Sequence, residues 1–366
     1  MTVSIQRGRI IAYRIFDVAE EFDLAKVDSV ARSTHPASRL SLARATGHSL
    51  VVRDAPVTLT LAPCSVRLGA KRVEAETMAR LWDYGVVSIQ FHIAIAPGTS
   101  WEELVETAAL VEDDNDLDEM ARQRVAEVVR ILQPAAKLPH DIRGMEDYVV
   151  YFLERIDGAK TADLVRSVDV PSLILGEPRE KLSERLRQSI VEQTLSYSTS
   201  DLAVIDWNSA VVVEPAGSRD VADILEFAAT HLAEFRYFDE LLDERLEKLY
   251  DSIEARRSVR TFFGTEYGRL SREANSLYLE FSDYVERVEN SLKFVGDFYL
   301  ATIFRSAVSR FHLRDWEESV TRKLNTLAQI SELLEGEVNV RRSHWLEIVV
   351  IVLILYEIVS AALRFA

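Results

Sequence analysis

Apolar side chains recur every three or four residues across most of the C-terminal half of this 366-residue chain. The first run extends from Val221 to about Arg257, with apolar residues at 221, 224, 225, 228, 232, 235, 238, 242, 246, 249 and 253. Similar runs cover Tyr267–Phe298 and Leu313–Leu334. Sustained heptad spacing of this kind favours long helices packed as a left-handed coiled coil. Because the connections between the runs are short, we expect neighbouring helices to be antiparallel.

The patterns before residue 218 indicate strands and shorter helices. Arg9–Val18 is rich in strand-forming residues, and Val57–Cys64 alternates apolar and polar side chains, which is typical of a half-buried strand. Asp83-Tyr84-Gly85 separates two apolar runs, and glycine provides the positive φ that a tight hairpin turn requires. Helical spacing follows in residues 101–111 and 117–132.

This order of elements recurs further along the chain. Tyr148–Ile156 resembles Ile10–Val18, and Asp206-Trp207-Asn208 resembles the earlier hairpin turn between two apolar strands. We therefore predict a duplicated strand-helix-hairpin-helix α/β region that forms one composite sheet, with units at residues 1–135 and 145–217. Chance similarity between short apolar motifs is the alternative.

The predicted fold class is α+β. The duplicated α/β region is followed by long antiparallel coiled-coil helices at residues 218–340 and by a C-terminal apolar helix at residues 344–364. The last helix of the second unit begins the coiled coil.

The segment Trp345–Leu363 is 19 residues long and strongly apolar, which is about enough to cross a hydrocarbon core of roughly 30 Å. We predict a membrane anchor formed by Trp345, Ile348, Val352, Leu355, Glu357 and Val359. Arginines precede this segment at positions 341 and 342, which favours an inner-membrane location with the bulk of the chain in the cytoplasm. The alternative is a helix buried in the bundle of a soluble cytoplasmic oligomer.

The amino-acid composition limits the partners, the compartment and the source that we expect for this chain. The formal net charge of −16 argues against direct nucleic-acid binding, because contact with phosphates needs a basic surface. Cys64 is the single cysteine, so no internal disulfide forms. No secretory or transit signal is recognisable before Arg14, so we expect the chain to start in the cytoplasm. Arginine far outnumbers lysine, which indicates a GC-rich, bacterial coding sequence.

Recognisable catalytic motifs are absent from the sequence, including nucleotide-binding glycine loops and metalloprotease or hydrolase signatures. Cys64 lies in a predicted strand, where a packed thiol is favoured over a reactive one. The acidic stretch 112–119 lacks the glycine and terminal glutamate of a calcium loop and is interpreted as a solvated link. His231 and Glu234 have chelating spacing but no second pair. We therefore predict no catalytic residue, cofactor or metal.

Asp239, with Arg236 on the same helix, is the candidate for fixing helix register and oligomer number. One register places Asp239 on the apolar face, where a polar residue specifies partner number. The rival register turns Phe238 inward and Asp239 outward.

A second hypothesis from a different class is a small-ligand-binding or enzymatic domain. The interface between two repeated units is a natural cleft. Clustering of His92, Arg155 and Asp206 around one cavity would support it.

Three segments of the helical half resemble a known protein family. Ile224–Leu242 (ILEFAATHLAEFRYFDELL), Val295–Leu334 and the tail His344–Glu357 are similar to the "required for meiotic nuclear division" family. The resemblance covers roughly residues 75–363 and implies no enzymatic activity. It implies an anchored, homo-oligomeric protein, because mitochondrial members are inner-membrane complexes that support translation, and by analogy a ribosomal partner.

The function predicted from these observations is a non-catalytic, membrane-anchored, self-associating scaffold of the cytoplasmic face. We expect it to form a homo-oligomer, to contact membrane lipid through the C-terminal helix and to engage an unknown protein partner.

Overall fold

The structure is a computed structural model, and it describes residues 3–31, 36–40, 55–112, 115–258, 272, 275–285 and 298–365. The strands are β1 Ser4–Asp17, β2 Ala19–Phe22, β3 Ala37–Arg39, β4 Val57–Thr60, β5 Cys64–Leu68, β6 Lys71–Leu81, β7 Val86–Ala94, β8 Thr99–Ser100, β9 Ala136–Pro139, β10 Glu146–Asp157, β11 Thr194–Leu195, β12 Leu202–Ile205 and β13 Ser209–Val213. The helices are α1 Leu24–Ala31, α2 Trp101–Glu112, α3 Asn115–Leu132, α4 Leu164–Ser167, α5 Val170–Ile174, α6 Glu184–Val191, α7 Asp220–Ser258, α8 at residues 275–285, α9 Phe298–Arg310 and α10 Leu313–Phe365.

Most strands join one mixed, 11-stranded sheet in the order β11-β12-β13-β10-β1-β7-β6-β4-β3, with β5 on β6 and β8 on β1. Described neighbours in this sheet are antiparallel except β10 and β13, which are parallel. A separate two-stranded sheet joins β2 to β9. The order places β1 at the centre, between β10 and β7.

The central position of β1 in the sheet explains the continuous burial of its second half. Residues Ile10–Phe16 of β1 are buried without a break, because both faces of the sheet are covered at this position. One face forms the main apolar core, in which Phe91 of β7 and Val211 of β13 join Val105 of α2, Val125 of α3 and Leu173 of α5. The opposite face is covered by the first turns of α7.

The chain divides into two compact units. Unit 1 comprises Met1–Tyr237 and Glu286–Trp316, and unit 2 comprises Phe238–Val285 and Glu317–Ala366. Helices α7 and α10 therefore each begin in unit 1 and continue into unit 2.

Unit 2 is helical throughout its described residues. The ring of Phe238 on α7 packs edge-on against Phe281 of α8, with 5.1 Å between ring centroids. Lys323 of α10 places its Nζ 2.8 Å from Asp239 and 2.6 Å from Asp243 of α7. Helical spacing over Leu313–Leu334 is confirmed within α10. Most of the run predicted over Tyr267–Phe298 lies outside the described residues.

Several local predictions for the N-terminal half are confirmed. Strand β1 contains Arg9–Asp17, the hairpin turn at Asp83–Gly85 joins β6 to β7, and α2 and α3 cover the two helical runs. The strand predicted over Val57–Cys64 is divided into β4 and β5, with Pro63 between them.

The predicted duplication is wrong. The hairpin β6–β7 lies antiparallel to β1, whereas the hairpin β12–β13 lies parallel to β10. The first half also carries β2, β3, β4 and β5, so a large mixed sheet replaces two strand-helix-hairpin-helix units. Apolar alternation specifies which face of a strand is buried but not the direction of its neighbour, so similar motifs formed different pairings.

The predicted membrane anchor is also corrected. None of the helices in the described part of the chain is long and apolar enough to span a bilayer. The apolar side chains described in this segment are the nine consecutive residues Ile348–Tyr356. The segment is the end of the 53-residue helix α10.

Candidate functional site

A row of polar side chains lies on the sheet face under α7, where a covered sheet usually carries apolar ones. Arg80 of β6 pairs with Ser88 of β7, and Gln90 of β7 pairs with Tyr13 of β1. Directly opposite residues of antiparallel strands point to the same face, so these four share it with His92 of β7. Arg80 is 1% exposed and His92 4% exposed. Such groups need hydrogen-bond partners inside the fold.

Helix α7 supplies these partners at helical spacing. Arg80 Nη1 lies 2.9 Å from Asp223 Oδ1 and also contacts the carboxylate of Glu226. Gln90 Nε2 donates to Glu226 Oε1 at 2.8 Å. One turn further on, the hydroxyls of Tyr84 and Thr230 are 2.7 Å apart. We call Arg80, Gln90, His92, Asp223 and Glu226 the buried polar layer.

The layer holds one cation between two carboxylates. Burial raises the pKa of Glu226, Arg80 lowers it and Asp223 raises it again, with a net increase. Burial lowers the pKa of Arg80, but the adjacent carboxylates of Asp223 and Glu226 raise it by more, so Arg80 stays protonated. Breaking a buried pair of this kind by removing one partner is strongly destabilising.

The hydrogen bonds specify the tautomer of His92. The amide nitrogen of Gln90 donates to Glu226, so Gln90 Oε1 faces His92 Nε2 at 3.0 Å and accepts a hydrogen bond from its N–H. Nδ1 therefore carries the lone pair, and it has no hydrogen-bond partner among the residues that the structure describes. Burial, followed by the positive charges of Arg219, Arg9 and Arg80, lowers the pKa of His92 to about 3.

Such an imidazole is a poor general base at neutral pH, because catalytic bases work best with a pKa near the operating pH. The charged groups of the layer are directed at one another across the helix–sheet contact. The arrangement fixes the rotation and position of α7 on the sheet.

A second polar cluster lies near the end of the α7 segment that belongs to unit 1. His140 Nε2 is 3.3 Å from Asp17 Oδ1, and the His140 ring stacks on Tyr237 with 4.6 Å between centroids. Burial raises the pKa of Asp17, while the contact with His140 lowers it.

Beside it, Arg236 of α7 joins two other elements of unit 1. Its Nη1 is 2.7 Å from Glu146 Oε2 of β10, and its guanidinium lies over the Trp316 ring of α10 at 5.4 Å. Burial raises the pKa of Glu146 to about 7, despite the opposing effect of Arg236. Glu146 is therefore a group that titrates near neutral pH.

An open cavity of about 870 Å³ lies between α2 on one side and residues 165–191 on the other. We call it the α2–α6 groove. Its lining is contributed by Val3, Trp101, Glu102, Val105, Glu106, Val165, Arg166, Ser167, Val168, Asp169, Pro171, Ser172, Pro178, Glu184, Arg187, Gln188 and Val191.

The residues expected to fix register have partners within the chain. Asp239 accepts a hydrogen bond from Ser319 Oγ at 3.2 Å and pairs with Lys323. Phe238 is buried, and Asp239 is half-buried. Arg236 faces Glu146, as described above. The role of Asp239 and Arg236 in oligomer number stays a prediction.

The residues predicted to form the anchor lie along the last turns of α10. Ile348, Val352 and Leu355 are exposed. The side chains of Trp345, Glu357 and Val359 lie outside the described residues.

The two α7 residues with chelating spacing are enclosed by the fold. His231 lies among the rings of Tyr84, Phe227 and Phe304, and burial lowers its pKa to about 3. Glu234 is buried as well. Within the described ranges, no three or more His, Cys, Asp or Glu side chains are grouped so as to hold a metal.

The remaining candidates are dispersed. His92 bonds to Gln90, Arg155 lies 3.7 Å from Asp157, and Asp206 lies 3.7 Å from Arg310. None of the three lines the α2–α6 groove. Cys64 is half-buried, with its Sγ 3.4 Å from Thr77 Oγ1.

Sequence reasoning missed the buried polar layer. Residues 71–81 largely alternate polar and apolar side chains, which is typical of a strand with one solvent-facing side and does not mark Arg80 as buried. The signal that was available is the spacing of Asp223, Glu226 and Thr230, which places polar groups on one face of an otherwise apolar helix.

Comparison with known proteins identifies the sheet-containing half. A family model described as "Uncharacterized protein MJ0711, N-terminal domain" matches residues 7–220, more than half of the chain. The "Uncharacterized protein MJ0711" of Methanocaldococcus jannaschii is 23% identical over 222 residues, which cover 59% of this chain and 66% of that protein, slightly under two thirds. No solved structure matches. That relative is archaeal, and the bacterial source expected from the arginine bias stays a prediction.

The resemblance to the "required for meiotic nuclear division" family is wrong. Its blocks at 224–242, 295–334 and 344–357 lie outside the matched region and within the helical part of the chain. Amphipathic helices share apolar spacing for packing reasons, so these blocks reflect helix packing. The expected link to translation and ribosomes rested on that resemblance alone and loses its support with it. On the match over residues 7–220, the chain belongs to the family described as the N-terminal domain of uncharacterized protein MJ0711.

Proposed function

We propose that this protein is a non-catalytic, self-associating scaffold whose copies pack together through the apolar stretch Ile348–Tyr356 of α10. We expect a homo-oligomer in aqueous solution. The α10 helices of the copies pack together, and the sheet-containing unit of each copy is attached to this helical assembly.

The observation that carries the proposal is the exposure of this stretch. Its nine residues are consecutive and apolar, and each side chain is between 42% and 73% exposed. An α-helix turns once in 3.6 residues, so nine residues place apolar groups on every side of the helix. A single flat contact covers only one side of a helix, whereas a helix that is apolar all round requires neighbours on several sides.

The amount of exposed surface fits an interface between copies. Nine large side chains that are about half exposed present on the order of 800 Å² of apolar surface, above the roughly 300–600 Å² of the largest patch on a typical monomer. A stable interface buries about 800 Å² per partner.

The buried polar layer supports the non-catalytic part of the proposal. Arg80, Gln90, Asp223 and Glu226 bond to one another across the contact between α7 and the sheet. Their polar atoms are used to position α7, which agrees with a structural role for the sheet.

The proposal is tested by the mass of the full-length protein in solution, measured by multi-angle light scattering over a range of concentrations. We expect an oligomer for the natural chain and a single-chain mass for the double variant Ile351→Glu/Leu355→Glu. Two buried carboxylates without partners would prevent the helices from packing.

The control variant is Leu138→Glu/Leu186→Glu, which makes the same chemical change at two exposed leucines outside α10. It should keep the mass of the natural protein. A monomeric natural chain, or a loss of assembly in both variants, contradicts the proposal. A single chain that enters solution only with detergent or vesicles contradicts it as well.

A further inference from the structure

The α2–α6 groove has a preformed wall. The carboxylate of Asp169 accepts two hydrogen bonds from Arg187 at 2.7 Å each and one from Ser172 Oγ at 2.8 Å. The indole Nε1 of Trp101 donates to the Asp169 carbonyl at 3.1 Å. Because α2, α5 and α6 are joined at this one residue, a ligand would not have to order the wall on binding.

Part of the groove lining is apolar. Val105 and Pro171 are buried at its base, and Val165, Val168 and Val191 are half-buried along it. Aliphatic side chains placed here would leave water without losing hydrogen bonds.

The rim of the groove is negative. Asp169 and Arg187 neutralise each other, which leaves Glu102, Glu106 and Glu184 against one arginine, Arg166. Glu102 and Glu106 are exposed and lie one turn apart on α2. Like charges at this spacing repel by a few tenths of a kcal/mol, and a cation placed between them relieves that repulsion.

We propose that the α2–α6 groove docks a basic amphipathic segment of a partner protein, which lays aliphatic side chains on the valines and presents Lys or Arg to the rim carboxylates. Glu184 lines the groove from α6, whereas the pair lines it from α2, so cations on both edges of one segment satisfy the rim. Complementary charge on both edges fixes the register of such a segment.

This docking site does not depend on the apolar stretch of α10. The lining of the groove specifies a basic, amphipathic partner for the scaffold, and this interaction is separate from self-association.

The test is a fluorescence-anisotropy titration of the full-length protein against a labelled helical peptide of leucine and lysine. A matched peptide with glutamate at every lysine position is the first control. The variant Glu102→Gln/Glu106→Gln should weaken binding of the basic peptide about fivefold at moderate salt, as the loss of two exposed charge pairs predicts. Val165→Ser should weaken binding at high salt as well, where charge contacts are screened.

The matched variant is Glu119→Gln/Glu127→Gln on α3, which removes the same charge from two exposed positions outside the groove. It should leave the affinity unchanged. Equal weakening by both double variants would show general attraction to an acidic protein and overturn the proposal. Binding of spermidine as tight as that of the peptide would also overturn it, because the ligand would then be a small cation.

Peptide titration of Ile351→Glu/Leu355→Glu separates the two proposals. If this variant is monomeric and still binds the basic peptide, the groove proposal is supported independently of self-association through α10. Absence of binding by both the natural chain and this variant overturns the groove proposal and leaves self-association to its own measurement.

Discussion

Glu146 and Arg236 come from β10 and α7, and their carboxylate oxygen and guanidinium nitrogen are 2.7 Å apart. The two sides of this pair differ in environment. Glu146 is 8% exposed, whereas two fifths of the Arg236 side chain is exposed. Because burial of the carboxylate outweighs the attraction of the arginine, the pKa of Glu146 rises from 4.5 to about 7.

Glu146 should make the stability of unit 1 depend on pH. A carboxyl group whose pKa is higher in the folded state binds its proton more tightly there, so its favourable contribution is complete below pH 4.5 and is lost as pH rises towards 7. The difference amounts to at most about 3 kcal/mol. Glu146→Gln should flatten the change between pH 5 and pH 8, measured by urea unfolding with tryptophan fluorescence. Identical pH profiles for the two proteins would contradict this assignment.

Arg80→Met should lower the free energy of unfolding by about 3–5 kcal/mol, because it leaves two buried carboxylates without their cation. Adding Glu226→Gln to this variant should recover part of the loss, since one of the two charges is then removed. Arg122→Met, at an exposed position of α3, is the control and should change stability by less than about 0.5 kcal/mol. Equal effects of the two single substitutions would show that the layer does not stabilise the helix–sheet contact.

Gly85→Ala and Gly98→Ala form a matched pair. Both glycines have positive φ, 87° and 86°. A Cβ on Gly85 would lie 1.6 Å from the carbonyl oxygen of Ala19, whereas a Cβ on Gly98 meets nothing within 4 Å. Gly98→Ala should therefore lower the free energy of unfolding by only about 1–2 kcal/mol, which is the cost of placing a residue with a Cβ at positive φ. Gly85→Ala should also displace β2 and yield little folded protein, as judged by soluble expression and thermal unfolding.

Asp239 and Lys323 should contribute modestly to the helix contact in unit 2. Their side chains are about one fifth exposed and 2.8 Å apart, so a double-mutant cycle with Asp239→Ala and Lys323→Ala should give a coupling free energy of roughly 0.5–1 kcal/mol. Because Asp239 is paired within its own chain, Asp239→Ala should keep the oligomer mass. A changed mass would restore Asp239 as the residue that selects partner number.

The hairpin at Asp83–Gly85 and the helices α2 and α3 could be predicted from sequence because each depends on local rules. Glycine allows positive φ at the turn, and the 3.6-residue period specifies which helix face is buried. The prediction of a C-terminal membrane anchor rested on the length and apolar character of the segment and on the preceding arginines, and it is wrong because no helix in the described part of the chain meets the requirement for spanning a bilayer.

The sequence by itself determined the strands around the first hairpin, the long helices and the presence of an apolar stretch near the C-terminus. Tertiary structure alone decided the parallel pairing of β10 with β13 and the burial of Arg80 beneath Asp223 and Glu226, residues more than 140 positions away. The physical reason is that alternation along a strand assigns side chains to two faces. It carries no information about which distant element will cover each face.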